Sequence, residues 1–346
     1  MNKVVDLRSD TITRPTEAML ESMREASYGD DSRDGDETVM QLEALAAART
    51  GKEAGAFMPS GTMTNLVAVL AHAQRGSEVL LEQGAHILTS ELGGVAGLVG
   101  AFHRGIPGTR GAMDIDVLRE KIRPMTRNNI GTSLVCMETT HNQAGGAVLP
   151  LAHMQAVHAL AREHGVPVHT DGARLFNAAA ALRVDAREIA QHTDSVCFCV
   201  SKGLSAPVGS VLCGSHAYIE RARAFRRMVG GNMRQAGPLA AAGIIALDTM
   251  VDRLKEDHAT AKQLAQGLHH IDARLLDPRD VETNLVRMDV SASGRTAAQW
   301  SDDLKQKGVR VSAASAMTLR FVTHRHIGNA DVDAAVSAVA SLWMKT

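Results

Sequence analysis

Residues 197–214 read CFCVSKGLSAPVGSVLCG. Lys202 is the only formal charge between Asp194 and Glu220. Behind it lies an apolar run of strand character, SVCFCV, and ahead lies a Gly/Ser/Pro turn followed by a second such run, GSVLCGS. An ammonium at the tip of a buried strand loses solvation, which favours the neutral amine. A neutral lysine is a nucleophile toward a carbonyl carbon. The stretch therefore predicts a sheet whose strand ends carry chemistry, with a lysine set there to react.

The flanking sequence supplies that sheet. From about residue 54, short apolar runs alternate with amphipathic helical stretches. AGAFMPSG leads into TMTNLVAVLAHAQRG, TSLVCMETTHN is followed by LAHMQAVHALAREHG, and VPVHTDGA precedes DAREIAQHT and SVCFCVSK. Strands alternating with helices predict βαβ units and a largely parallel sheet covered on both faces. Such sheets place ligands beyond the carboxyl ends of their strands. The run PLAAAGIIALDTMVDRLKEDHATAKQLAQGLHHI reads as one helix or two leading out of this core. After it, TNLVRMDVS, TAAQWSDDLKQKG, VRVSAAS, MTLRFVTH and ADVDAAVSAVASLWMK predict a second, smaller α/β set. The expected division is a large domain over 1–250, including the N-terminal segment, and a small C-terminal domain over 251–346.

At 346 residues the chain exceeds the usual size of one core, and 45% apolar residues suffice to fill a large and a small one. Thirty-eight acidic and 37 basic side chains nearly cancel, and they alternate along the chain. That balance argues against a nucleic-acid footprint or a polybasic membrane patch. No segment reaches the roughly 18 uninterrupted apolar residues of a membrane helix. The opening MNKVVDLRSDTITRP carries early charges and lacks an apolar signal core, so a cytoplasmic protein is expected. Cys136, Cys197, Cys199 and Cys213 all lie in apolar runs, where cysteine serves as a small hydrophobe and not as a metal ligand.

Two further motifs fall at strand ends. In PSGTMTN (59–65), Ser60, Gly61 and Thr62 stand where a strand enters a helix. Unpaired N–H groups and two hydroxyls there suit a phosphate; an ordinary N-cap reads the same way. In HTDGARLFNAA (169–179), Asp171 ends a strand and Arg174 follows three positions on, a pattern that also fits a capping aspartate paired with an arginine. A phosphate seat, a carboxylate and a desolvated lysine at one sheet edge together suit pyridoxal phosphate. The lysine amine forms a Schiff base with the aldehyde, the carboxylate keeps the pyridine nitrogen protonated so that the ring is an electron sink, and the phosphate anchors the far end.

Taken with VDLRSDTITRPTEAM, AHI with ELGG, METTHNQAGGAVLP, MVGGNMRQAGPLAAAG and LRFVTH, these motifs make the chain resemble the low-specificity L-threonine aldolases over nearly its whole length. That family belongs to the aspartate-aminotransferase-like fold, pyridoxal-phosphate fold type I. The resemblance implies retro-aldol cleavage of L-threonine, L-allo-threonine and related β-hydroxy-α-amino acids to glycine and an aldehyde. It implies Lys202 as the covalent cofactor anchor, Asp171 on the pyridine nitrogen, and Ser60, Gly61, Thr62 and Ser201 in the cofactor cradle. His86 is expected to stack on the ring and His141 to stand near the substrate side chain, one of them or a water between them taking the β-hydroxyl proton. Ser9, Arg174 and Arg320 match the groups around the substrate carboxylate. Arg227 and Arg234 match cations that reach a neighbouring subunit's cofactor, which implies a homo-oligomer, a tetramer built as a dimer of dimers. His103, His164, His169, His192, His216, His324 and His326 read as structural or solvated.

Two positions depart from the family pattern. GDDSRDG places Ser32 and Arg33 where many members have Val-Tyr, and Arg227 stands where lysine is frequent. Arginine keeps the charge of lysine but not its geometry. The close rival reading is a β-eliminating lyase or an aminotransferase, sharing lysine, aspartate and phosphate seat but breaking another bond. A nicotinamide dehydrogenase would need a G-x-G-x-x-G turn after its first strand, which is absent. A non-catalytic relative would be expected to have lost Lys202 or Asp171.

Overall fold

The computed structural model describes residues 4–344. Seven strands form the sheet of the larger unit. In spatial order they are Ala54–Met58, Ser210–Gly214, Ser195–Cys199, Val168–Asp171, Thr132–Glu138, Glu78–Glu82 and Phe102–Ile106. The five inner strands are almost entirely buried, which is why they read as continuous apolar runs and not as alternating ones. Four of the six pairings are parallel; Ser210–Gly214 runs antiparallel to both of its neighbours. The reason is length. A parallel return needs a crossover of a dozen or more residues, and the ten residues between Cys199 and Ser210 carry no helix.

That short return holds Lys202. The Val200 N–H donates to the Gly209 carbonyl, the Ala206 N–H to the Val200 carbonyl, and the Ser205 N–H to the Lys202 carbonyl. Gly209 sits at φ +113, and a Cβ there would lie 2.3 Å from the buried Phe57 ring, so only glycine fits.

The larger unit comprises Arg14–Ala144 and Val148–Val251; the smaller gathers the described residues before Arg14, Gly145–Ala147 and the chain from Asp252 onward. The N-terminal segment, expected in the large domain, thus belongs to the smaller unit. Val5–Asp6 pairs in parallel with Val309–Arg310, and Val5 and Leu7 join a core built around Trp300, Phe321 and Leu268. The smaller unit's antiparallel sheet has the order Leu285–Asp289, Thr318–Val322, Ser312–Ala313. Among the described residues, no helix is long and apolar enough to cross a membrane.

Candidate active site

In the larger unit the chemistry gathers where the parallel strands end. Asp171 is the last residue of its strand and is 2% exposed. Its Oδ1 accepts the Ala173 N–H at 3.0 Å and its Oδ2 accepts from Asn65 Nδ2 at 2.8 Å. Asn65 stands one turn into the Gly61–His72 helix and faces the sheet; its second amide hydrogen goes to Glu91 Oε1, also at 2.8 Å. Glu91 in turn takes His86 Nδ1 at 2.9 Å. The result is a continuous set, Asp171–Asn65–Glu91–His86, with the ligating atoms of His86, Glu91 and Asp171 within 4.8 Å of one another.

The electrostatics follow from burial. Desolvation is the largest influence on the Glu91 carboxyl and raises its pKa, with the Asp171 charge adding to it. His86 is raised as well, chiefly by the hydrogen bond to Glu91 and further by the charges of Asp171, Glu91 and Glu138. With Nδ1–H committed to Glu91, the neutral ring keeps its lone pair on Nε2. In Glu91→Gln, His86 loses its principal support and its pKa falls back toward the ordinary value. The acid limb of the kcat/KM profile is then expected to move to lower pH. The imidazole itself remains, so the loss at the plateau should stay below the ~10²-fold that separates a working general base from none. An acid limb that did not move would remove His86 as the titrating base.

His141 was expected beside the substrate side chain. Its ring is 2% exposed and lies beneath Gly111, where a Cβ would lie 2.6 Å from the imidazole and φ is +86. Nδ1 accepts the Ala144 N–H at 3.2 Å, which leaves the proton of the neutral ring on Nε2. Nε2 lies 2.9 Å from Glu82 Oε2, close but out of line for a hydrogen bond, and 3.9 Å from Glu138 Oε2. Glu138 accepts the backbone N–H of His86 at 2.6 Å and of Asn142 at 2.7 Å. Glu138 thus lies between the His141 ring and the His86 backbone.

Lys202 is half-buried, more open than its apolar surroundings suggested, and it lines a recess with Arg174, Phe176, Asn177 and Cys199. Its strand neighbours that of Asp171, with Asp171 opposite Cys197. The helix start expected to hold phosphate is close by: a Cβ on Gly61 would meet Cys199 Sγ at 2.9 Å. Ser60 is also the N-cap, accepting the Met63 N–H at 3.2 Å, while Thr62 is exposed. Ser201 donates its hydroxyl to the Gly209 carbonyl at 3.1 Å. Arg227 and Arg234 are exposed, Arg234 lying 3.5 Å from Asp30. The buried cation of that stretch is Arg226, held by Asp31 at 2.7 Å and the Phe57 carbonyl at 2.8 Å. Arg33, at the departure from the family pattern, is an exposed side chain 3.7 Å from Asp30. In the smaller unit, Ser9 caps a short 3-10 turn, and Arg320 donates to the Arg8 carbonyl at 3.2 Å. Arg320 pairs in register across the sheet with Arg287.

These residues fit pyridoxal phosphate. Three buried acidic side chains, Asp171, Glu91 and Glu138, crowd one sheet edge, where a cationic ring nitrogen relieves their repulsion. An amine and a helix N-terminus stand beside them. Asn65, Glu91, Glu138 and Arg287 were missed from the sequence, although Asn65 and Glu91 lie inside the PSGTMTN and ELGG motifs.

Fold comparison gives the class, the aspartate-aminotransferase-like fold of pyridoxal-phosphate enzymes. A threonine aldolase from Leishmania major superposes with TM-score 0.84 at 18% identity, covering 98% of this chain and 99% of that one. An SPT structure with PLP gives 0.79 at 16% identity, covering 99% and 88%. The chain belongs to the beta-eliminating lyase family, whose sequence model matches residues 6–291, and within it to the low-specificity L-threonine aldolases. It is 40% identical over 346 residues to the probable low-specificity L-threonine aldolase 2 of Arabidopsis thaliana, covering 99% of this chain and 98% of the relative. It is 40% identical over 341 residues to the low specificity L-threonine aldolase of Escherichia coli strain K12, covering 98% of each.

Proposed function

We propose that the protein is a pyridoxal-phosphate-dependent aldehyde-lyase that cleaves L-threonine and related β-hydroxy-α-amino acids to glycine and an aldehyde. The observation that carries this reading is the hydrogen-bonded Asp171–Asn65–Glu91–His86 set at the strand ends next to the Lys202 loop. It unites a carboxylate for a ring nitrogen, a base and a covalent anchor in one family of known aldolases.

When bound, the cofactor supplies an electron sink for the bond being broken. Lys202 would anchor it, Asp171 would pair with its ring nitrogen, and Ser60, Gly61 and Thr62 would hold its phosphate. Arg174, Ser9 and Arg320 are the groups proposed for the substrate carboxylate, which a guanidinium fork binds bidentately. His86 accepts the β-hydroxyl proton at Nε2, directly or through a water, while Glu91 steadies the resulting imidazolium. His141 stands near the substrate side chain and helps position that water, while Glu138 accepts the His86 backbone N–H. We further propose a cytoplasmic homotetramer in which Arg227 and Arg234, exposed in the single chain, reach a second copy's cofactor.

The test is a product analysis. Holoprotein given L-threonine is expected to release acetaldehyde and glycine in equal amounts. Ammonia with a 2-oxo acid would show β-elimination in place of carbon–carbon cleavage and overturn the reading.

A further inference from the structure

His169 lies two residues before Asp171 on the same strand, so both side chains project to one face. It is fully buried, and the proposed reaction makes no use of it. Its Nε2 lies 3.3 Å from Asn65 Oδ1 and its Nδ1 2.9 Å from Ser195 Oγ. Ser195 Oγ is also 2.8 Å from His72 Nε2. Cys197 Sγ, buried on the next strand, lies 3.2 Å from the same Asn65 oxygen.

The acceptor at Asn65 Oδ1 sets one consistent direction for the bonds in this chain. Asn65 faces Asp171 and Glu91 with one atom, 2.8 Å from each. That atom must be the NH2, because an amide oxygen there would oppose two carboxylates. Asn65 Oδ1 is then an acceptor, and His169 must carry its proton on Nε2 to donate to it. His169 Nδ1 in turn accepts from the Ser195 hydroxyl, and the Ser195 oxygen accepts from His72 Nε2–H. Burial keeps both imidazoles neutral, with His169 pushed down to about 4 and His72 to about 3. It also drives the Cys197 thiol well above its ordinary value, so the sulfur remains a donor. All donors point one way, from His72 toward the two carboxylates.

We propose that His169 is a positioning residue for the active site: by donating to Asn65 Oδ1 it locks the amide so that both Asn65 N–H bonds serve Asp171 and Glu91. Without that donor, Asn65 Oδ1 is left with only the weak Cys197 thiol, and the amide is held from its NH2 end alone, by the two carboxylates. The inference rests on the reading of Asp171 as the partner of the cofactor's ring nitrogen.

Two measurements test it. In the 15N-histidine spectrum of the full-length protein at pH 7, His169 is expected as the neutral Nε2–H tautomer. An Nδ1–H tautomer or a charged ring would overturn the proposal without recourse to any variant. In titrations of apoprotein with pyridoxal phosphate, His169→Phe is expected to weaken binding by about 10-fold, the scale seen when a buried partner of a ligating group is lost. His169→Gln restores an amide donor near Nε2 and is expected to stay within about 3-fold of the parent. Equal weakening in both variants would mark His169 as a packing residue only and sink the idea. Parent-like binding in His169→Phe would do the same while leaving the functional reading intact; a parent chain that takes up no pyridoxal phosphate would bring both down.

Discussion

Lys202→Ala is expected to abolish turnover of L-threonine, by about 10³-fold or more, the scale on which removing a covalent catalyst leaves only residual binding effects. The residue is half-buried in a ten-residue return whose fastening is backbone to backbone, through Val200, Ala206 and Gly209. Truncating the side chain leaves those hydrogen bonds in place and opens no core cavity. The variant should therefore fold, with a melting temperature within a few degrees of the parent's, as substitutions away from buried contacts do. Loss of activity with an intact fold would assign the effect to chemistry. Borohydride reduction of the parent holoprotein should tag the peptide containing Lys202, and the variant should take no tag and show no visible band. A tag on another lysine, or a variant that turns over within an order of magnitude of the parent, would remove Lys202 from the mechanism.

The parts of this site that could be read from the sequence are those fixed by local chemistry. An isolated lysine after an apolar run, an aspartate closing VPVHTD and a serine ahead of a helical pattern each depend on a few neighbouring residues. They stand just past the end of a strand, at the end of a strand and at an N-cap. The parts that could not be read depend on register. Asn65 meets Asp171 across 106 residues and Glu91 across 26 because the Gly61–His72 helix lies over the sheet at one height and rotation. A one-residue shift would turn the amide away from both. His169 looked like any buried imidazole because Ser195, its partner, is identified only by the pairing of adjacent strands. Val5–Asp6 was assigned to the wrong domain for the same reason: its partner, Val309–Arg310, lies at the other end of the chain. That the His141 ring lies under Gly111 could not be read either, because a motif specifies which residue is present and not what packs over it.

Asp171→Asn should give a different pattern: a protein that still takes up its cofactor, though less tightly than the parent, and loses its rate. The substitution preserves shape in a site that is 2% exposed, and Lys202 still supplies the covalent anchor, so the visible band should persist. What goes is the negative charge that keeps the ring nitrogen protonated, and with it the electron sink. Removing one preorganised electrostatic contact of this kind costs about 10² to 10³ in kcat, which is about 3 to 4 kcal/mol of transition-state stabilisation. A second effect identifies the cause. The Asp171 charge raises both the Glu91 carboxyl and the His86 imidazole; without it both fall, and the acid limb of the residual activity moves to lower pH. A purely structural lesion would lower the rate without moving that limb. The new amide also faces the Asn65 NH2 at one oxygen and the Ala173 N–H at the other, so one donor must oppose another whichever way it turns. Some loss of thermal stability should accompany the loss of rate, by about 1–3 kcal/mol for a buried donor left unpaired. A variant with kcat within about 3-fold of the parent and an unmoved acid limb would mean that the carboxylate at this strand end has no hold on the reacting ring.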